Sequence, residues 1–373
     1  MYHLPVIRWK AIIPVFLATS DSPARLRLHS QWRVCISRLL NVRRERMRLS
    51  AMKNLLAVAA MAVAVSLPAT AQTVSSQISF TEPVQGITEN PLTNQIYAVV
   101  TLGAGTSDAL VVINGKSDTV TATIPIPNGS YVPAVDILTN RVFVTNCTFS
   151  PLSCGVTVVD GFKNKVITTI PVTTTTGDGL LGITADPLRG KIYVSNGSDH
   201  VVDVINAYTN TLTGKITIAG EPWGLAINPD NNRLYVTLGG SEVAIVDPAT
   251  QATLQTVTVG EDDYNVAVNW VSGNVFVPNT LFGFSTTAVL DKKGNVLSQV
   301  QVGEAPEGVD VDPITNLAFV ANSSDNTVTV IDGKSNTATA TVGGIPAFFL
   351  VANPATQKVY ISGGETVTVM TEK

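Results

Sequence analysis

Acidic side chains recur at intervals along the chain, in short polar segments that follow apolar, alternating stretches. Carboxylates repeated in this way could bind Ca²⁺ through oxygen ligands, or hold a cationic ligand against neighbouring aromatic side chains. The alternative is that Glu and Asp simply suit exposed connecting segments. The residues concerned are Glu82, Asp178, Glu221, Glu261, Asp262, Asp263, Glu304 and Glu307, with Trp223 and Tyr264 beside them. Their chemistry depends on whether the fold brings them to one place.

A single histidine, His200, follows residue 72, and it lies beside Asp199 in a polar segment. A haem site would need it as the axial ligand, and Ser-His-Asp catalysis would need it as the base. No nucleophile-elbow sequence accompanies it, and one histidine cannot build a histidine-based metal cluster. We therefore expect a solvated loop side chain rather than a ligand.

Three arginines follow residue 72: Arg141, Arg189 and Arg233. Some hydrolases that open sugar lactones use carboxylate, His and Arg groups together, so these arginines are the test of such an activity. All three lie in turns between two consecutive predicted strands, on the face opposite the acidic segments. The pattern favours exposed turn residues over a catalytic role.

Two cysteines, Cys147 and Cys154, bracket a loop between two predicted strands. In an oxidising compartment this arrangement predicts a disulfide that closes a hairpin. A metal site is disfavoured because no partner ligands accompany the pair.

The elements that position these residues form a repeat of seven segments, each about forty residues long. Each segment opens with an apolar strand that ends in an Asn/Asp-Pro-type turn, and successive turns are spaced by 41 to 50 residues. A second strand carries an aromatic residue, a third reads V-x-V-I/V-D/N, and a fourth is rich in Thr. Four strands at this period predict one propeller blade per segment. The chain is therefore predicted to be all-β, a seven-bladed β-propeller of four-stranded antiparallel blades over residues 73–373.

The seventh segment stops after its third strand, near Lys373. Residues 73–80 alternate suitably and precede Glu82-Pro83 as other fourth strands precede Glu-x-Pro. We expect this N-terminal strand to complete the last blade, which would close the ring and protect its final edge.

The second-strand sequences, best seen at Phe143–Asn146 and Tyr193–Asn196, resemble the YVTN family of β-propeller repeats. The V-x-V-I-D strand and the connector Gly303–Gly308 belong to the same pattern. The resemblance implies a propeller of bacterial or archaeal surface and periplasmic proteins, with motif residues that are structural. The fifth segment departs most, with Trp270 in place of Pro and Pro278 inside a strand, which removes a ladder donor.

Residues 52–71 are predicted to be a secretory signal peptide: Lys53, an apolar run over residues 55–65, Pro68, and Ala69-Thr70-Ala71 before Gln72. The basic leader over residues 1–51 lacks the repeat and is interpreted as a mis-extended start or a disordered segment, with a targeting arm as the alternative. Residues 1–72 contain 11 Lys and Arg against 2 Asp and Glu, so the remainder contains 13 against 26. A net charge near −13 disfavours a nucleic-acid partner.

Three functions remain open at this point. The preferred interpretation is a non-enzymatic binding scaffold of the periplasm or cell surface, a monomer without a transmembrane anchor, whose ligand is a protein, a glycan or a small molecule. No cofactor is predicted apart from a possible Ca²⁺. The alternatives are a lactonase-like hydrolase and a structural component of the cell envelope.

Overall fold

The structure is a computed structural model, and it describes residues 72–102, 107–175, 179–261, 263–281 and 284–372. The predicted leader and signal peptide lie outside these residues. Asp178 and Asp262, two of the predicted site residues, also lie outside them.

Seven four-stranded antiparallel sheets make up the described part of the chain. Blades 1 to 3 contain, in chain order, β2 (Val84–Asn90), β3 (Gln95–Val100), β4 (Asp108–Asn114), β5 (Thr119–Ile126); β6 (Ser130–Asp136), β7 (Arg141–Phe149), β8 (Leu152–Asp160), β9 (Lys165–Val172); β10 (Leu180–Asp186), β11 (Lys191–Asn196), β12 (Val201–Asn206), β13 (Thr211–Thr217). Blades 4 to 6 contain β14 (Leu225–Asn228), β15 (Arg233–Thr237), β16 (Glu242–Asp247), β17 (Ala252–Thr258); β18 (Ala267–Val268), β19 (Val275–Leu281), β20 (Phe284–Leu290), β21 (Val296–Gln301); β22 (Pro306–Asp312), β23 (Leu317–Asn322), β24 (Thr327–Asp332), β25 (Thr337–Gly343). Blade 7 contains β26 (Phe349–Asn353), β27 (Lys358–Gly363), β28 (Thr366–Thr371) and β1 (Val74–Ser79). One 3-10 turn, Gly197–Asp199, follows β11.

The first strands of the blades contact one another in a closed cycle, from β2 through β6, β10, β14, β18 and β22 to β26 and back to β2. The seven first strands therefore surround a central channel, as the repeat predicts. This confirms the predicted seven-bladed propeller.

The turn between the first and second strands is built by side-chain hydrogen bonds. The Asn or Asp that ends the first strand accepts a hydrogen bond from the backbone two residues later, as in Leu138 N to Asp136 Oδ1 at 3.1 Å. The residue just before the second strand then adopts a positive φ, +50° at Asn140 and +58° at Gly190. Asn and Gly are the residues that accept this backbone conformation most readily, which explains their recurrence in the sequence.

The core is divided into seven clusters, one between each pair of neighbouring blades. Each second strand contributes one aromatic side chain that is almost fully buried: Tyr97, Phe143, Tyr193, Tyr235, Phe276, Phe319 and Tyr360. The repeated aromatic position of the sequence is therefore the wedge that holds adjacent blades together.

The N-terminal strand completes blade 7, as predicted. β1 pairs with β28 in antiparallel register, Gln77 opposite Thr368 and Ile78 opposite Val367. Phe80 N also donates to Glu365 O at 2.8 Å. The two ends of the propeller sequence thus close one sheet.

Blade 5 is the least regular blade, as the sequence indicated. Its first strand, β18, has only two residues, while Pro278 in β19 still lies opposite Thr287. The segment between Cys147 and Cys154, predicted to be a loop, is instead part of an extended hairpin in which β7 and β8 continue to Phe149 and Leu152. β19 and β20 likewise continue to Leu281 and Phe284. Cross-strand pairing satisfies the backbone there, so the chain stays in strands.

Candidate functional site

The propeller has two chemically different faces. We call the face that carries the blade-to-blade connectors and the loops between second and third strands the loop face, and the opposite one the turn face. Every described lysine and arginine except Lys215 lies in a turn of the turn face or is the first residue of a strand that leaves it. Lys215 itself lies 3.7 Å from Asp203 and 3.8 Å from Asp199.

Carboxylates, in contrast, are common on the loop face. The described acidic residues there are Glu82, Asp108, Asp199, Glu221, Glu242, Glu261, Asp263, Glu304, Glu307, Asp325 and Glu365. The loop face therefore carries a concentrated negative charge, which attracts cations over several ångströms of solvent.

Seven residues lie at one equivalent position where the first strands open onto the loop face. Each lies two residues before an apolar residue of the first strand, such as Ile87 or Pro133. The pairing of first and second strands identifies the equivalent residue in every blade. We call them the mouth ring: Gln85, Tyr131, Leu181, Trp223, Tyr264, Glu307 and Phe348. None of the seven is fully buried, and four are aromatic.

Close backbone packing fixes the order of the mouth ring. In four blades the residue after the ring position is glycine, and a Cβ there would meet the next blade's ring carbonyl: Gly86 against Tyr131 O at 2.7 Å, Gly224 against Tyr264 O at 2.7 Å, Gly308 against Phe348 O at 2.5 Å, and Gly182 against Trp223 O. Only glycine permits this approach, so neighbouring ring residues are held on adjacent backbones.

Side chains from blades that are not neighbours meet at the mouth ring. Tyr131 of blade 2 and Phe349 of blade 7 stand edge to face with ring centroids 5.8 Å apart, although blade 1 lies between them. Phe348 stacks edge to face on Phe349 at 4.9 Å. The contact between Tyr131 and Phe349 spans blade 1 at the loop-face end of the first strands, so aromatic side chains from blades 2 and 7 lie close together there.

Glu307 is the only charged member of the mouth ring. It is half-buried, and its Oε1 accepts a hydrogen bond from Ser323 Oγ at 3.0 Å. Burial raises the pKa of the Glu307 carboxyl, and the Ser323 hydrogen bond opposes that rise. Burial also raises the pKa of the Tyr131 hydroxyl, and the charge of Glu307 adds to it across the channel.

Trp223 and Tyr264 form a second aromatic pair in the ring, with centroids 4.9 Å apart. Behind them lies Asp263, which is fully buried; its Oδ1 accepts a hydrogen bond from Gly240 N at 2.8 Å. Burial raises the pKa of Asp263 to about 7, and the charge of Glu242 adds to the rise. Asp263 Oδ2 and Trp223 Nε1 are both buried without a partner in the described residues, which leaves an acceptor and a donor next to the mouth.

Apart from the buried Asp263, the predicted site residues that the structure describes separate into two groups. Trp223, Tyr264 and Glu307 belong to the mouth ring. Glu82, Glu221, Glu261 and Glu304 lie in the connectors just before it, with Glu261 and Glu304 exposed. Within the described residues no three His, Cys, Asp or Glu side chains converge as metal ligands do. The Ca²⁺ site stays a prediction.

Sequence reasoning missed Gln85, Tyr131, Leu181 and Phe348 of the mouth ring, and Phe349 beside it. The signal that could have found the four ring residues is positional, because each lies two residues before the strand residue that faces the preceding blade. Acidic character does not mark these positions, so they were not selected even where the connector before them carries a predicted site residue, as it does with Glu82 before Gln85.

The other candidate residues have structural partners. His200 Nδ1 lies 2.7 Å from Gly220 O and ties a loop to a connector. Arg141 donates to Ala207 O at 2.7 Å, Arg189 to Pro229 O at 3.1 Å, and Arg233 pairs with Asp247 at 3.4 Å, all on the turn face. The predicted disulfide is confirmed: Cys147 and Cys154 are bonded across the β7–β8 hairpin with Cα atoms 4.1 Å apart.

Comparison with known proteins supports the propeller fold and does not identify a family. No family model matches the chain. The PE-PGRS family protein PE_PGRS18 of Mycobacterium tuberculosis (strain ATCC 25618 / H37Rv) is 38% identical over 153 residues, which cover 41% of this chain and 33% of that protein. The chain thus matches about a third of that relative's length. A solved structure of Kuenenia stuttgartiensis hydrazine synthase superposes with a TM-score of 0.65 at 16% identity, covering 79% of this chain and 97% of the other, a likeness of fold alone.

Proposed function

We propose that this chain is an exported, non-enzymatic binding scaffold of the periplasm or cell surface, and that it takes its ligand at the mouth ring on the loop face. One observation carries the proposal: aromatic side chains and one carboxylate from different blades converge on a single opening. Concave sites with aromatic walls and few polar groups are typical of ligand pockets.

The arrangement favours binding over hydrolysis. The three described arginines bond to backbone carbonyls or to Asp on the turn face, far from the mouth ring. His200 is held by a backbone carbonyl. The His and Arg groups that a lactonase-like site would use are therefore committed to the fold, while the groups at the mouth are mostly aromatic.

Export and family membership are part of the same proposal. The apolar run and the Ala69-Thr70-Ala71 pattern support cleavage before Gln72, and a disulfide suits an oxidising compartment. Membership of the YVTN-type repeats is supported by the motif side chains: the aromatic residue wedges between blades, and Ser195 Oγ donates to Trp223 O of the next blade at 2.6 Å. We propose that the scaffold acts as a monomer.

The experiment is affinity capture from envelope extract with the immobilised full chain and with two variants. Tyr264→Ala removes a half-exposed aromatic side chain from the mouth ring, and Phe162→Ala removes a more exposed one from the turn face. We expect the retained ligand to be lost with Tyr264→Ala and kept with Phe162→Ala. Equal retention by both, or loss with Phe162→Ala alone, would place the binding surface elsewhere and overturn the proposal.

A further inference from the structure

The charged member of the mouth ring is flanked by aromatic residues on both sides. Ring order follows blade order, so Glu307 lies between Tyr264 of blade 5 and Phe348 of blade 7. The contact of Gly308 with Phe348 O places the Phe348 backbone directly against the Glu307 strand. Tyr131 lies opposite, near enough to respond to the charge of Glu307.

The Glu307 carboxylate has unused capacity as an acceptor. Ser323 bonds its Oε1, and no described lysine or arginine side chain forms an ion pair with Glu307. A half-buried carboxylate without a cation loses hydration that the single Ser323 hydrogen bond replaces only in part. A cationic ligand would supply the missing counter-charge.

The charge of the loop face favours a cationic ligand over an anionic one. Lys215 is the sole described lysine or arginine away from the turn face, and it already lies close to Asp199 and Asp203. An anionic ligand approaching the mouth would meet the carboxylates of the connectors, whereas a cation would be drawn in.

The aromatic walls select an organic cation over a metal ion. No described group of three carboxylate, His or Cys side chains converges as a metal site requires. Aromatic faces, in contrast, attract poorly hydrated cations through the ring quadrupole, and a quaternary ammonium group is the best match because it has no hydrogen-bond donors to satisfy.

We propose that the mouth ring binds a quaternary ammonium group, with Glu307 as its counter-ion and Tyr131, Tyr264 and Phe348 as its walls. The inference rests on the proposed function, because it names the ligand class of that same site. The group could belong to a free small molecule or to a lipid headgroup, and two probes distinguish these sources.

The test is calorimetric titration of the full chain with choline and with 3,3-dimethylbutan-1-ol, the uncharged molecule of the same shape. We expect choline to bind saturably and the alcohol to bind at least about fivefold more weakly, because it lacks the charge that the rings and Glu307 attract. Phosphatidylcholine vesicles form a second arm: sedimentation with the vesicles would identify a headgroup, and its absence together with choline binding would identify a free ligand.

Matched variants test the counter-ion. Glu307→Gln should weaken choline binding about tenfold, whereas Glu365→Gln, an equal charge change at an exposed loop of the same face, should change it by less than about twofold. Tyr131→Leu, which keeps the wall apolar but removes the aromatic face, should also weaken choline binding and leave binding of the alcohol unchanged. Wild-type affinity for choline should fall on acidification, as Glu307 takes up a proton.

The outcomes separate this inference from the function beneath it. Equal binding of choline and the alcohol, or equal effects of Glu307→Gln and Glu365→Gln, overturns the quaternary ammonium and leaves a neutral or apolar ligand at the same mouth. Binding of neither probe, with capture from extract still dependent on Tyr264, also overturns the inference and leaves the function standing. If neither probe binds and capture from extract no longer depends on Tyr264, both the quaternary ammonium inference and the proposed function are overturned.

Discussion

At the residue scale, the repeated motif positions build blades and the positions before them build the site. The buried asparagines of the second strands bond within the blade, as Asn322 Nδ2 does to Thr329 Oγ1 at 2.9 Å. Asn146, Asn196 and Asn322 lie in N-x-S/T sequences, yet each is buried. The mouth ring lies outside these motif positions, and its residue types vary from blade to blade.

Asp263 gives a prediction on the pH dependence of stability. Its folded-state pKa of about 7 lies above the unfolded value near 4, so the folded protein binds more protons between these values. Its contribution to the free energy of unfolding is therefore fully present below pH 4 and is lost as pH rises through 7. Asp263→Asn should abolish this pH dependence. Its free energy of unfolding should therefore rise relative to that of the wild type, by up to about 4 kcal/mol between pH 4 and pH 8.

Urea unfolding of both proteins across that pH range is the measurement. Glu89 and Asp310, whose pKa values burial also raises, contribute equally to both proteins and cancel in the comparison. Parallel stability curves for wild type and Asp263→Asn would show that Asp263 does not titrate as described.

At the element scale, close contact between first strands holds the mouth ring in shape. A Cβ at Gly182 would overlap the carbonyl oxygen of Trp223, whereas one at Gly240 would meet nothing within 4 Å. Gly182→Ala should cost about 1–3 kcal/mol through forced backbone movement, and Gly240→Ala should cost less than about 1 kcal/mol. Thermal unfolding of the two variants tests this, and equal losses would contradict the tight packing of blades 3 and 4.

The N-terminal strand gives the second prediction at this scale. Deleting residues 73–80 removes β1, exposes the edge of β28, and takes away Ile78 and Phe80, which pack on the core between blades 7 and 1. Because every blade depends on two neighbours, opening the ring at one sheet should lower the melting temperature of the whole domain. An unchanged melting temperature would mean that β1 does not close the ring.

At the scale of the whole molecule, the fold was predictable and the site was predictable in part. The period of the repeat, the turn residues and the incomplete seventh segment are all local signals, and they predicted seven blades and the closure by β1. The pattern also indicated the loop face. Glu307 was found because it is acidic, and Trp223 and Tyr264 were found because they lie beside acidic connector residues.

Tyr131 and Phe348 could not be found in this way. Side chains alternate between the two faces of a strand, so an error of one residue in the strand boundary changes which residue faces the channel. Sequence signals predict strand boundaries less precisely than that. The contact of Tyr131 with Phe349 joins residues more than two hundred positions apart, which only the closed ring brings together. The separation of charge between the two faces likewise follows from the strand order.

Trp223 offers the most direct test of the mouth as the ligand site. The chain has four tryptophans, so replacing Trp9, Trp32 and Trp270 by Phe leaves Trp223 as the sole fluorescent indole. Titrating this protein with choline and with 3,3-dimethylbutan-1-ol should give a saturable change in Trp223 emission, with the lower midpoint for choline. The control is a variant that keeps only Trp270. A saturable change in Trp270 emission, with none in Trp223 emission for either probe, would contradict a binding site at the mouth ring.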